Sequence, residues 1–198
     1  MSKIKIVYVD DYPETELSKF LYNEYNNGLE FESEDIKFDT SMSYDKLLHD
    51  ELIKTANIII IDSKLFEDKT AYDVKFSGEE FKILINKYFP FIEVIVITQN
   101  KLNDELGVKA SVPKWQSLCG EPSDEFYSRE LAPVVNSAIS SIKVNRKLIE
   151  KLNANPSWDR VLVEKIINSL EGKYKYDELT KADIDELITA FQDLHKGY

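Results

Sequence analysis

Three acidic residues stand where runs of branched apolar residues stop. Asp10 and Asp11 follow Ile4-Lys5-Ile6-Val7-Tyr8-Val9, and Asp62 follows Asn57-Ile58-Ile59-Ile60-Ile61. A third run, Val94-Ile95-Val96-Ile97, ends in Thr98. Carboxylates gathered in one place repel one another unless a cation neutralises them. Oxygen ligands with no histidine or thiolate among them select magnesium or a similar hard ion, which keeps coordination positions for water and phosphate. Lys114 adds a fixed positive charge, and Thr98 offers a hydroxyl. Acids, a divalent cation, a hydroxyl and a lysine converging on one carboxylate can hold a phosphoryl group and stabilise its transfer.

Such convergence needs one sheet edge. Four consecutive isoleucines between polar flanks read as a strand buried on both faces, hence a parallel sheet covered by helices on either side. In open sheets of this kind ligands bind at the carboxyl ends of the strands, where Asp10, Asp11, Asp62 and Thr98 fall. The rest of the chain alternates in the same way. Leu17, Phe20, Leu21 and Tyr25 keep helical spacing up to Asn27-Gly28, and residues 29–38 read as a second, more amphipathic strand near an edge. Ser43 caps a predicted helix carrying Tyr44, Leu47, Leu48 and Leu52. A polar stretch, Ser63 to Ser77, precedes a predicted helix from Gly78 to Phe89. A short helix around Leu102 and Leu106 and a brief fifth strand, Val108 to Val112, follow strand four. From Pro133 a long helix runs to about Leu152, and its first half covers the sheet. Asn153-Ala154-Asn155-Pro156 is the most linker-like point. Two further helices are predicted, Ser157 to Leu170 and Thr180 to His195. The expected architecture is α/β, a doubly wound five-stranded parallel sheet of order 2-1-3-4-5 over residues 1–153, with a small α-helical extension at 154–198.

Composition narrows the function classes. The 198 residues carry a net charge of −11, which argues against a broad nucleic-acid surface. A single cysteine, Cys119, excludes an internal disulfide and any multi-thiolate zinc site. No apolar run reaches membrane-spanning length and no signal-peptide core follows Met1, so the expected location is cytoplasmic. His49 and His195 lie on predicted helices remote from the acids, which disfavours a histidine-based triad. No glycine-rich phosphate loop follows any strand. Trp115 and Trp158 read as packing residues.

The ordered set of acids, hydroxyl and lysine, each at its strand end, resembles the receiver domain of two-component response regulators, over roughly residues 3 to 150. The resemblance implies that Asp10, Asp11 and Asp62 bind magnesium, and that a partner kinase or small phosphodonor phosphorylates Asp62. It also implies that Thr98 bonds the phosphoryl group and Lys114 pairs with it. The chain departs from the family in Pro113-Lys114-Trp115, where Lys-Pro is usual, and in the bulky Gln99 after Thr98. It departs again in lacking an aromatic residue in Ala110-Ser111-Val112, in a longer loop after Asp62 and in a shorter helix after Thr98.

The expected function is therefore a signalling protein, not an enzyme beyond its own aspartyl phosphorylation. It would control a protein effector through the C-terminal helices, which engage a partner, fold back or form a homodimer. One rival is a pseudo-receiver that binds proteins without phosphotransfer. A second is a magnesium-dependent phosphohydrolase, disfavoured because no general base beyond the carboxylates is apparent.

Overall fold

The computed structural model describes residues 3–39, 44–65, 77–99, 111–155 and 157–171. The central strand β3 (Ile58–Asp62) is buried along its whole length, as a strand must be when apolar residues fill both faces. It lies between β1 (Ile4–Asp10) and β4 (Glu93–Thr98). Outside these run β2 (Phe31–Lys37) and β5 (Ser111–Pro113), completing a parallel five-stranded sheet of order 2-1-3-4-5. The expected topology is thus the one observed.

Strand alternation sorts the apolar side chains into two cores. Ile4, Ile6, Tyr8, Ile58, Ile60, Ile95 and Ile97 face one side. There they meet α1 (Thr15–Tyr25), α5 (Ser123–Glu130) and the first half of α6 (Ala132–Ala154). Val7, Val9, Ile59, Ile61, Val94 and Val96 face the other side, against α2 (Tyr44–His49), α3 (Glu51–Thr55) and α4 (Gly78–Tyr88). Asn27 closes the turn between α1 and β2, its Oδ1 accepting from the backbone N–H groups of Leu29, Glu30 and Phe31 at 3.1, 2.9 and 3.2 Å. Gly28 holds φ +70 in that turn, a conformation that glycine adopts without strain.

The single helix expected after Ser43 is two helices, α2 and α3. Asp50 breaks it: its backbone is extended, and its side chain accepts from Leu52 N at 2.8 Å to cap α3. Helix α5 was not expected, because only two adjacent residues of Ser123–Glu130, Phe126 and Tyr127, are buried and no apolar stripe announces it. At the far end α7 (Arg160–Glu171) packs on α6, with Leu152 and Val163 buried while Trp158, Val161 and Leu162 stay largely exposed. Trp115 does pack against the core, whereas Trp158 is half exposed. Cys119 lies in a short 3-10 turn, Ser117–Cys119. The predicted cap at Ser43, the helix around Leu102 and Leu106, Val108 to Ala110 and the helix Thr180 to His195 lie outside the described residues. Among the described residues no helix is long and apolar enough to cross a membrane.

Candidate functional site

Parallel register brings the strand ends together. Asp10 pairs with Lys37, Asp62 with Ile97, and Thr98 with Pro113, so each of these acids and the hydroxyl stands on the last rung of a ladder, and Lys114 follows the last rung of β5. Lys114 N donates to Thr98 O at 2.8 Å, extending β5 by one bond and fixing the lysine's backbone over the edge. Apart from tyrosines, the polar side chains buried among the described residues are Asp10, Asp62, Thr98 and Lys114. Burying charge is costly unless it is paired, so a fold that buries these four together must pair them.

It does so through Lys114. The Nζ stands 2.6 Å from Asp10 Oδ2 and 2.7 Å from Asp62 Oδ1, bridging the two acids from adjacent strands. Pro113 does not turn the lysine away; it ends β5 and leaves Lys114 pointing at the acids. Burial works against the ammonium, but the bonds to Asp10 and Asp62 outweigh it and raise the Lys114 pKa, so the side chain stays charged. Burial lifts the Asp62 carboxyl above the usual range, and Lys114 offsets only part of that. Asp62 Oδ2 accepts the Lys64 N–H at 3.0 Å.

Asp11 is at the exposed rim. Desolvation there, then the hydrogen bond and charge of Asp10 and the charge of Asp62, push its carboxyl above the ordinary value. Three carboxyl groups thus share this edge with one ammonium. Hard oxygen donors of this kind would suit a divalent cation of the magnesium type, and Asp11 and Asp62 are the residues that could hold one. Asp10 has less to give: Oδ2 is shared by Lys114 and Tyr8, and Oδ1 accepts the Tyr12 N–H at 3.0 Å. Among the described residues no ready-made group of three acidic, histidine or cysteine side chains surrounds a metal position.

Three features of the site were not anticipated. Tyr8, fully buried, donates to Asp10 Oδ2 at 2.5 Å and accepts from Glu14 N at 3.2 Å. Its position two residues before Asp10 puts both on one face of β1, a relation already present in the sequence. Gly78, at the start of α4, lies against Asp62: a Cβ there would stand 2.5 Å from the Asp62 carbonyl oxygen. Its N–H donates to Ser63 O at 3.0 Å, and Ser63 Oγ in turn donates to Glu79 at 2.8 Å. Finally, Tyr127 on α5 reaches across to Glu14, a contact that no local pattern foretells.

No protein-family model matches the chain, and no curated protein matches it either. Among solved structures it is similar to response regulators and their receivers. The isolated receiver domain of RcsB from Salmonella enterica serovar Typhimurium, solved with the phosphomimetic BeF3−, is 19% identical over 54% of this chain and 69% of that one, with a TM-score of 0.36. DrrB of Thermotoga maritima, an OmpR/PhoB homologue, is 15% identical over 91% of this chain and 93% of its own, at a TM-score of 0.44. RcsB bound to promoter rprA is 16% identical over 91% and 92%, at 0.41. The receiver-like fold assigned to this chain rests on its own strand order and register.

Proposed function

We propose that the chain is a receiver-type signalling protein whose Asp62 accepts a phosphoryl group in a magnesium-dependent reaction. The observation that carries this reading is the position of the Lys114 ammonium, 2.7 Å from Asp62 and 2.6 Å from Asp10, in a buried cluster at the carboxyl edge of the sheet. An Asp62 oxygen attacks the phosphorus of a donor such as acetyl phosphate. The bond to the acetate oxygen breaks, acetate leaves with that electron pair, and no proton is exchanged. A carboxylate is a poor nucleophile toward a dianion, and positive charge at the site offsets the repulsion. Magnesium bound at Asp11 and Asp62 would supply that charge. Lys114 supplies the rest, since its bond to Asp62 is free to pass to a phosphoryl oxygen while Asp10 keeps hold of the ammonium. Thr98, buried beside the lysine's backbone, offers the hydroxyl. The phosphodonor would be a partner kinase or a small acyl phosphate, and the output a protein effector.

A second reading has its own support. Lys114 already satisfies both buried acids, and no three-acid metal group stands ready among the described residues. The cluster would then be a structural ion bridge in a pseudo-receiver that binds proteins without phosphotransfer. Incubation with acetyl phosphate and magnesium decides between the two. A receiver gains one phosphoryl group in intact mass, and Asp62→Asn abolishes the gain. No mass gain and no fluoroberyllate binding at high magnesium would refute phosphotransfer and leave the pseudo-receiver.

A further inference from the structure

Two buried tyrosines outside the proposed chemistry are wired to it. Tyr8 donates to Asp10 Oδ2, the oxygen that also takes Lys114, and accepts from Glu14 N. The Glu14 carboxylate accepts from Tyr127 OH at 2.9 Å, and that hydroxyl accepts from Trp115 N at 3.1 Å. Trp115 follows Lys114 in sequence, so the bonds close a ring: Lys114, Asp10, Tyr8, Glu14, Tyr127, Trp115 and back to Lys114. The backbone N–H groups of Glu14 and Trp115 can only donate, which leaves each phenol's own proton for the carboxylate beside it. Tyr127 is fully buried on α5, its ring 5.6 Å from Phe20 and 5.4 Å from Phe126, so it moves only with that helix.

We propose that Tyr127 is a positioning residue that ties helix α5 to the Lys114 ammonium, making α5 the element that responds to a change of charge at Asp62. The inference rests on the receiver reading. When Asp62 carries a phosphoryl group, Lys114 exchanges its bond to Asp62 for one to a phosphoryl oxygen and shifts with it, carrying Asp10, which keeps hold of the ammonium. The displacement reaches Tyr127 along two arms, through the Trp115 backbone and through Asp10, Tyr8 and Glu14.

Backbone-amide NMR of the full chain with magnesium and fluoroberyllate tests this. Ser63 and Lys64 report on the site, and residues 125–130 report on α5. In the unaltered protein both sets shift. In Tyr127→Phe the Ser63 and Lys64 shifts persist while those of α5 fall to less than half. In Tyr8→Phe, which cuts one arm, the α5 shifts take an intermediate value. Undiminished α5 shifts in Tyr127→Phe would overturn the relay. If Ser63 and Lys64 do not shift in the unaltered protein, the phosphotransfer reading fails instead, and Lys114→Met judges the relay by itself. Removing the ammonium must then displace α5 amides when the Tyr127 hydroxyl is present and not when it is absent; equal displacement in both refutes the coupling. Should Tyr127→Phe not fold, Glu14→Leu removes the acceptor of the Tyr127 hydroxyl and leaves the Trp115 bond, so the α5 shifts take an intermediate value, as in Tyr8→Phe; undiminished shifts would overturn that arm.

Discussion

Replacing Lys114 by methionine isolates what its charge does for the fold. The ammonium bonds two carboxylates at 2.6 and 2.7 Å, and the three side chains are only 7%, 2% and 10% exposed for Lys114, Asp10 and Asp62. Removing one member of a buried ion bridge strands the others, a loss of about 3–5 kcal/mol. Methionine keeps the aliphatic stem, so repacking adds less than about 1.5 kcal/mol. The expected loss near neutral pH is about 3–6 kcal/mol, a large share of the roughly 5–15 kcal/mol typical of a domain. The pH dependence has a definite sign. Asp62 has a folded pKa above its unfolded value even with Lys114 present, so stability falls as pH rises from the unfolded value through the folded one. Without the lysine, the attraction that pulls this pKa down is gone and the window widens upward. In acid the stranded Asp62 carboxyl takes up a proton and the penalty shrinks. Lys114 itself, raised above its ordinary value, stays charged throughout that range and loses its contribution only at strongly alkaline pH. Urea unfolding of both proteins at about pH 4.5 and about pH 7.5 reads the difference directly. A loss below about 1 kcal/mol, or one equal at both pH values, would mean that the ammonium does not hold the two acids together.

Two further perturbations probe the supports of the site. Gly78→Ala places a Cβ 2.5 Å from the Asp62 carbonyl oxygen, and backbone there cannot yield as a side chain does. A thermal melt is expected to show a loss of about 1–3 kcal/mol, and an unchanged melt would mean that α4 can back away freely. Leu152→Ala is expected to weaken the docking of α7 by about 2 kcal/mol, since Leu152 and Val163 are buried outside both sheet cores. Hydrogen exchange should quicken in α7 and not in β1, β3 or β4. Equal quickening in the sheet would make α7 part of the main core.

Long, strongly patterned stretches were legible in the sequence. The isoleucine run, the runs before Asp10 and Thr98, and the helices ending at Tyr25, Tyr88 and Ala154 each carry a period that depends on no distant contact. So do the acids, because a polar residue that ends an apolar strand is visible in one dimension. What escaped was set by single atoms or by partners far along the chain. Asp50 splits a continuous helical pattern by one side-chain bond to Leu52 N. Helix α5 buries Phe126 and Tyr127 alone, and the place of Tyr127 depends on Glu14, 113 residues away. Lys114 illustrates the remaining gap. Pro113 left the direction of its side chain open in the sequence, and only the pairing of Thr98 with Pro113 aims it at the acids.

Strand order also decides how a hazardous segment is housed. Ile58-Ile59-Ile60-Ile61 is the kind of short, uncharged, β-prone sequence that stacks into fibrils when laid bare. Here it is the middle rung of the sheet, hydrogen-bonded to β1 on one side and β4 on the other. The strand that faces outward at one border is β2, Phe31–Lys37, where Glu32, Glu34 and Asp35 stud the sequence in place of apolar residues. An incoming strand would have to bring its own side chains alongside that row of acids, which discourages edge-to-edge growth. The fold keeps its most adhesive segment inside and its least adhesive strand at that border. Resistance to self-assembly is therefore a property of the folded state, and it lasts as long as β1 and β4 keep their grip on β3.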